Sequence, residues 1–288
     1  NRVGVFWVMF YRNRCALILS FMLTAVCAAV LAPAPCAANI SVSGELTQLF
    51  RAESGQVISG EVKLVNSGDT VLDTRLYLTD YMYHADGTNI YGEPGKSERS
   101  SAGWMTLQSE LVAVPPKSTM AVPFSIRVPD GVAVGSHWCL IMVEQVDQSP
   151  PGAAPKDAAA TQPTGPAIGI VARVRYGIQV IVDVGQGAAN VDILDAGLSR
   201  DAEGTYVLHL DVKNTGEVRL VPTMKVWAYD AQGQNIGAFE GSKVGLVPGS
   251  SARFRTPLKG IVPGEYAVLI VFESSEGSWG VQYDLKLQ

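Results

Sequence analysis

Apolar and polar residues alternate along most of this chain. From Asn39 onward, apolar residues recur at every second position in short runs, and glycine, proline and asparagine interrupt the runs about every ten residues. A period of two is typical of β-strands that bury one face, and no helical stripe exceeds two turns. The pattern therefore predicts an all-β fold made of short strands, as in a β-sandwich.

Short motifs recur in the same order in the two halves of the chain. Val62–Asp69 reads VKLVNSGD, and Leu210–Glu217 reads LDVKNTGE. Farther along, Val114–Ser118 (VPPKS) matches Val247–Ser251 (VPGSS). A repeat of this kind predicts two copies of one architecture.

The repeat and the turn residues divide the chain into domains. A short glycine-rich segment, Gly185–Ala188, separates the two halves. We predict a first immunoglobulin-like β-sandwich domain over residues 39–185 and a second over residues 189–288. With 288 residues, 47% of them hydrophobic, the chain can form two cores of ordinary size.

Residues 1–38 have the pattern of an export signal. A basic segment, Tyr11–Arg14, precedes the apolar run Cys15–Ala32, and small residues follow up to Ala38. This order is typical of a signal peptide that is cleaved after export. An uncleaved membrane anchor and lipid attachment at Cys27 or Cys36 are the alternatives. No later stretch is apolar enough to span a bilayer, so we expect no membrane insertion of the mature chain.

Composition and motifs favour binding over catalysis. The net charge is −5, and the mature part is more acidic still because residues 1–38 contain three arginines and no acidic residue. An acidic protein is poorly suited to nucleic acid, where affinity depends on neutralising phosphates. No catalytic or metal-binding motif is present, so we expect no enzyme activity, no catalytic residue, no metal and no cofactor. Cys139, the one cysteine after the leader, is predicted to be a buried core residue.

The most unusual segment precedes the domain boundary. Residues 147–166 are rich in alanine and proline and are predicted to be a flexible loop. From Ile168 to Val184, every even position is then apolar, which is far longer than an ordinary strand of about 5–6 residues. Part of this stripe should extend beyond its own core. It is either a long last strand that runs into the linker or an edge that pairs with a partner's strand.

Three motifs carry a resemblance to a known family. They are the strand end Val62–Asn66, the segment Trp104–Leu107 that leads to Val114–Ser118, and Ile168–Tyr176 after the loop. In this layout the chain resembles the PapD-like periplasmic chaperones of pilus assembly, a family of two immunoglobulin-like domains.

The resemblance implies a mechanism and a set of site residues. In that family, the last strand of the first domain donates alternate apolar side chains to a pilus subunit, a role that falls here on Ile168, Ile170, Ala172 and Val174. The family also binds the client's terminal carboxylate with an arginine of the first strand and a lysine of the last. Gly177 stands at the lysine position, which leaves as candidate anchors Arg51, Arg173 and Arg175.

The sequence thus predicts a periplasmic chaperone-like protein for the assembly of pili or other surface structures. Its partner would be an exported protein such as a pilus-like subunit, and the free protein would be a monomer. Two alternatives stay open. One is a secreted or cell-surface binding module that uses the loops 84–103 and 147–166, and the other is a structural subunit of a surface fibre.

Overall fold

The structure is a computed structural model that describes residues 39–146 and 174–288. The predicted signal peptide (1–38) and the predicted loop (147–166) lie outside the described residues. Within the described ranges, the helical structure is one 3-10 turn, Ala102–Trp104, and no helix is long and apolar enough to cross a bilayer.

The first domain contains ten strands in two sheets. The strands are β1 (Ile40–Ser43), β2 (Thr47–Ala52), β3 (Val57–Asn66), β4 (Leu72–Tyr83), β5 (Asn89–Gly92), β6 (Met105–Leu107), β7 (Leu111–Val114), β8 (Ser118–Arg127), β9 (Gly135–Gln145) and β10 (Arg175–Val184). One sheet has the order β1-β3-β8-β6. The other has the order β2-β10-β9-β4-β5, and β7 also pairs with β4.

The core of the first domain lies between these sheets. Alternate residues of each strand point inward, so the predicted period of two produces the buried rows. On β10 the inward row is the even-numbered one: Ile178, Val180, Val182 and Val184. Cys139 is fully buried in the same core, as predicted, and burial raises the pKa of its thiol to about 12.

The second domain contains seven strands, also in two sheets. They are β11 (Val191–Arg200), β12 (Tyr206–Asn214), β13 (Thr223–Tyr229), β14 (Asn235–Lys243), β15 (Ser251–Pro257), β16 (Gly264–Ser274) and β17 (Gly277–Leu287). The sheet orders are β11-β12-β15 and β14-β13-β16-β17. The prediction of an all-β fold with two β-sandwich domains is confirmed.

A buried asparagine performs the same task in both domains. Asn66 is 1% exposed; its Nδ2 donates to the carbonyl oxygens of Thr70 (2.8 Å) and Val114 (3.0 Å), and its Oδ1 accepts from Gly68 N (2.8 Å). Asn214 is fully buried and makes the matching bonds to the carbonyl oxygens of Val218 and Leu246 and to the N–H of Gly216, at 2.8, 3.0 and 2.9 Å. The asparagine therefore satisfies the backbone of a buried turn, which explains why this motif recurs.

The second repeated motif is offset by one residue from the sequence match. Ser118 Oγ donates to Pro115 O and Ser250 Oγ donates to Val247 O, both at 2.7 Å, so Pro115 is equivalent to Val247 and not to Pro248. Lys117, with φ +51°, then matches Gly249, with φ +80°. The shared feature is a turn residue in the left-handed conformation. The sequence match aligned the prolines Pro115 and Pro248 and therefore missed it.

The two domains close one side of the sandwich differently. In the first, β1 pairs with β3 only as far as Ser43; the chain then crosses at Gly44 (φ +98°), and β2 joins the opposite sheet parallel to β10. In the second, β11 stays paired with β12 as far as Arg200, with one bulge near Asp195. No described strand therefore covers the free edge of β17 as β2 covers β10.

Replacing Asn66 or Asn214 with alanine should destabilise the protein by about 3 kcal/mol, because each change removes three hydrogen bonds between a buried side chain and the backbone, at about 1 kcal/mol each. Urea unfolding measures this cost. The control Asn235→Ala removes an exposed asparagine and should cost less than about 1 kcal/mol. An equal cost for buried and exposed positions would contradict this role of the asparagines.

Candidate functional site

The inward row of β10 leaves the core at the start of the strand. Ile178 is fully buried, Tyr176 is half-buried, and Val174 is 50% exposed. The apolar stripe therefore reaches past the domain's own core within the described residues. Its buried part packs inside the first domain and not against the second.

The same end of β10 also has an open edge. β9 pairs with the whole strand, but the register with β2 begins only at Gln179 opposite Thr47. Gln179 N donates to Leu46 O at 2.7 Å, so odd-numbered residues direct their backbone groups to the β2 side. Arg175 and Gly177 direct theirs to the same side, where no described strand pairs with them. The first half of β10 is thus an edge on which another strand can pair.

The outer face of this sheet is apolar around Gly177. A Cβ at Gly177 would lie 3.3 Å from Leu140 Cδ1 and 3.4 Å from Met142 Sδ, so these two side chains lean over the glycine. Beside them, the Nε2 of Gln179 is buried and has no hydrogen-bond partner. The glycine at this position therefore makes room for the side chains of Leu140 and Met142, which are 5% and 9% exposed.

The predicted strand-donating residues fall on both sides of the described boundary. Ile168, Ile170 and Ala172 lie outside the described residues, as does the candidate anchor Arg173. Val174 is described and stands directly before β10. Val174 continues the inward row and is half exposed. Of the four predicted strand-donating residues, it is the one that the structure describes.

Arg175 is held at the open end of β10. It lies opposite Glu144 in the register, and its guanidinium forms an ion pair with the Glu144 carboxylate at 3.1 Å. The candidate anchor Arg51 lies opposite Asp183, eight residues farther along β10. At about 3.3 Å per residue, the two arginines are about 26 Å apart along the strand, so they do not act on one carboxylate.

Arg51 lines a cleft between the two domains. The cleft has a volume of about 1040 Å³, and it also contains Arg219 of the second domain together with the acidic residues Glu53, Asp183 and Glu276. Neither arginine has a carboxylate within 4.0 Å among the described residues. The cleft thus combines two guanidinium groups that lack an ion pair with three carboxylates, so an anionic group would bind there through direct hydrogen bonds to the arginines.

Arg219 was missed by the sequence analysis. It follows the turn Asn214–Glu217, which the repeat identified as scaffold, and its place beside the first domain depends on how the domains pack. A local pattern contains no signal for such a contact.

Specific polar contacts fix the two walls of the cleft. Ser136 N donates to Glu217 O (2.8 Å), Arg219 N donates to Ser136 Oγ (2.7 Å), and Ser136 Oγ donates to the Asp183 carboxylate (2.5 Å). Gly135, with φ +105°, packs so closely that a Cβ would lie 2.1 Å from Glu217 O. Any side chain at Gly135 would therefore push the domains apart.

An apolar cluster adjoins these polar contacts. Trp138 and Ile181 of the first domain pack with Val247 of the second, and Met82 and Tyr83 pack against this cluster. The hydroxyl of Tyr83 donates to Gly245 O at 2.7 Å. Because Ile181 belongs to β10, the interface also holds the end of the strand whose other end is open.

His137 lies between the two interface residues Ser136 and Trp138. It is buried, its Nε2 lies 2.8 Å from Ala133 O, its Nδ1 has no partner, and its ring is 4.6 Å from that of Trp104. Burial lowers the pKa of His137 because the imidazolium would be poorly solvated, and the charge of Arg99 adds to this effect. The folded protein therefore favours the neutral ring.

As the pH falls below about 6.5, the unfolded chain should bind a proton at His137 more readily than the folded one. The free energy of unfolding should then decrease by up to about 1.4 kcal/mol per pH unit. His137→Gln keeps a donor for Ala133 O without titrating, so it should remove this part of the slope between pH 6.5 and 5. Equal slopes for the two proteins in urea unfolding would contradict the assignment.

The fold is similar to solved structures of fimbrial chaperones. The class 5 fimbriae chaperone CfaA has 12% identity and a TM-score of 0.45, with 87% of this chain and 100% of that chain covered. The Pseudomonas aeruginosa chaperone CupB2 has 10% identity and a TM-score of 0.39, with coverage of 86% and 100%. The SafB complex with the pilin SafA from Salmonella enterica has 11% identity and a TM-score of 0.41, with coverage of 88% and 99%.

Sequence comparison adds nothing to these structural similarities. No protein-family model matches the chain. A comparison with curated proteins also finds no match.

Proposed function

We propose that this chain is a periplasmic chaperone for the assembly of pili or similar surface structures. It binds an exported client by letting a client strand pair with the open edge of β10 and the residues before it. The observation that supports this proposal is that β2 does not pair with Arg175 or Gly177, and that the inward apolar row becomes exposed at the same end of β10, at Val174.

The chemistry of this edge suits a client that lacks a strand. Backbone hydrogen bonds to the open edge would bind any extended segment, whatever its sequence. The alternate side chains at Ile168, Ile170, Ala172 and Val174 would fill a groove in the client's own core. Binding of this kind needs no bond-making step, so the chain acts as a binding protein and not as an enzyme.

We also propose that the cleft holds the client's terminal carboxylate between Arg51 and Arg219. A client segment that reached from Gly177 to Arg51 would span about 20 Å, since β2 occupies the edge from Gln179 onward. It would have to cross the outer face of β2, where Leu49 is half exposed. An apolar contact there would support the end of the segment before it enters the cleft.

Strand pairing is tested by Val174→Asp and Ile170→Asp. Each change places a charge in the row that the client would bury, and we expect the amount of client that co-purifies from the periplasmic fraction to fall at least about tenfold. Val262→Asp is the matched control, because this valine of the second domain is 64% exposed and lies outside the proposed site.

Circular dichroism and urea unfolding would first establish that all three variants are folded. Strand pairing would be disproved if Val174→Asp and Ile170→Asp both fold and each still binds as much client as the native chain. Loss of client in the Val262→Asp control as well would show that the contact is not confined to β10.

The carboxylate anchor is tested by Arg51→Gln. Since Arg51 is exposed, stability should not change, but client affinity should fall about tenfold through the loss of charge-assisted hydrogen bonds. Arg127→Gln removes an exposed arginine of β8, in the opposite sheet, and should leave affinity unchanged. Native affinity in Arg51→Gln would exclude Arg51 as the anchor while leaving strand pairing intact.

A further inference from the structure

The second domain has its own open edge on β17, which the proposed chaperone site does not use. β17 pairs with β16 over eleven residues without a bulge, and it contains no proline. Its other edge has no partner strand among the described residues. Long regular edges of this kind are usually protected in soluble proteins.

The inward row of β17 is also incompletely covered. Trp279, Val281, Tyr283 and Leu285 are only half-buried, although they pack against the domain core. In the neighbouring row of β16, Val268, Ile270 and Phe272 are fully buried and Tyr266 is half-buried. Burial therefore decreases from β16 to the edge strand β17, except at Leu287, which is 3% exposed.

The first domain shows what can cover such an edge. β10 is the equivalent of β17, and β2 runs parallel to it, with Phe50 opposite Val182 and Ala52 opposite Val184. The inward row of β10 is fully buried where β2 lies beside it. In the second domain, β11 remains with β12, so the position of β2 is vacant beside β17 among the described residues.

The charges on the outward row of β17 indicate which residues a strand beside it would carry. The outward row of β17 carries Asp284 and Lys286. Lys286 is neutralised by an ion pair with Glu265 at 2.8 Å, whereas Asp284 has no ion pair with any described residue. A strand beside β17 would therefore meet one uncompensated carboxylate, which favours a basic side chain in its outward row.

We infer that the β17 edge is a second protein-binding site, which takes an extended segment of an exported partner. That segment carries apolar residues at alternate positions and a basic residue among the outward ones. Its backbone pairs with β17, and its apolar side chains cover Trp279, Val281, Tyr283 and Leu285.

The test measures amide hydrogen exchange in the intact protein with a synthetic peptide as the probe. In this peptide, valine alternates with threonine and lysine over eight residues. At ten times its dissociation constant, exchange in Gly277–Leu287 should become about tenfold slower, because binding reduces the open population by that factor. β14, the other edge of the same sheet, should keep its rate.

A peptide of the same composition, with its valines in one block, is the matched control and should give no protection. Equal protection by both peptides, or none by the alternating one, would overturn the inference. Protection of β17 without peptide that increases with protein concentration would also overturn it, because the occupant would then be a second copy of the chain. None of these outcomes depends on β10, so the proposed chaperone site is tested separately.

Discussion

β2 pairs with β10 only from Gln179 onward, and the proposed client-binding edge of the first domain depends on this limit. From Gln179 onward β2 completes the sheet and buries the inward row of β10. Before Gln179 the same strand keeps one edge open and carries its apolar row out of the core at Val174. One strand thus supplies both a rigid support and an exposed pairing edge. A client strand would pair with the exposed edge, which the paired part of β10 holds in place.

The domain interface makes that support rigid. The closed end of β10 contributes Ile181 to the apolar cluster with Val247, and Asp183 accepts a hydrogen bond from Ser136, which also binds the second domain. Arg51 and Arg219 line the cleft beside these contacts. Because β10 reaches from the open edge to the interface, the two proposed parts of the client site are joined by one continuous element.

Much of this arrangement could be predicted from the sequence, because it follows from local alternation. The even row of β10 and the all-β fold depend on residues near one another in the chain. The recurrence of the asparagine motif is also visible in the sequence, although its burial and its hydrogen bonds are not. The extent of β2 along β10 depends on a crossing at Gly44, which no periodicity reveals. The position of Arg219 depends on domain packing. The sequence match also missed the equivalence of Lys117 and Gly249, because the repeat preserves a backbone conformation there and not a residue type.

The most direct test is residue-resolved hydrogen exchange along β10 in the free protein, measured by nuclear magnetic resonance. The amides of Gln179, Ile181 and Asp183 face β2 and should exchange slowly, at rates close to those of the even-numbered amides that face β9. The amides of Arg175 and Gly177 should exchange faster by orders of magnitude, because they face an open edge. Equal protection at Gly177 and Gln179 would mean that the edge is already covered, and it would contradict strand pairing with a client.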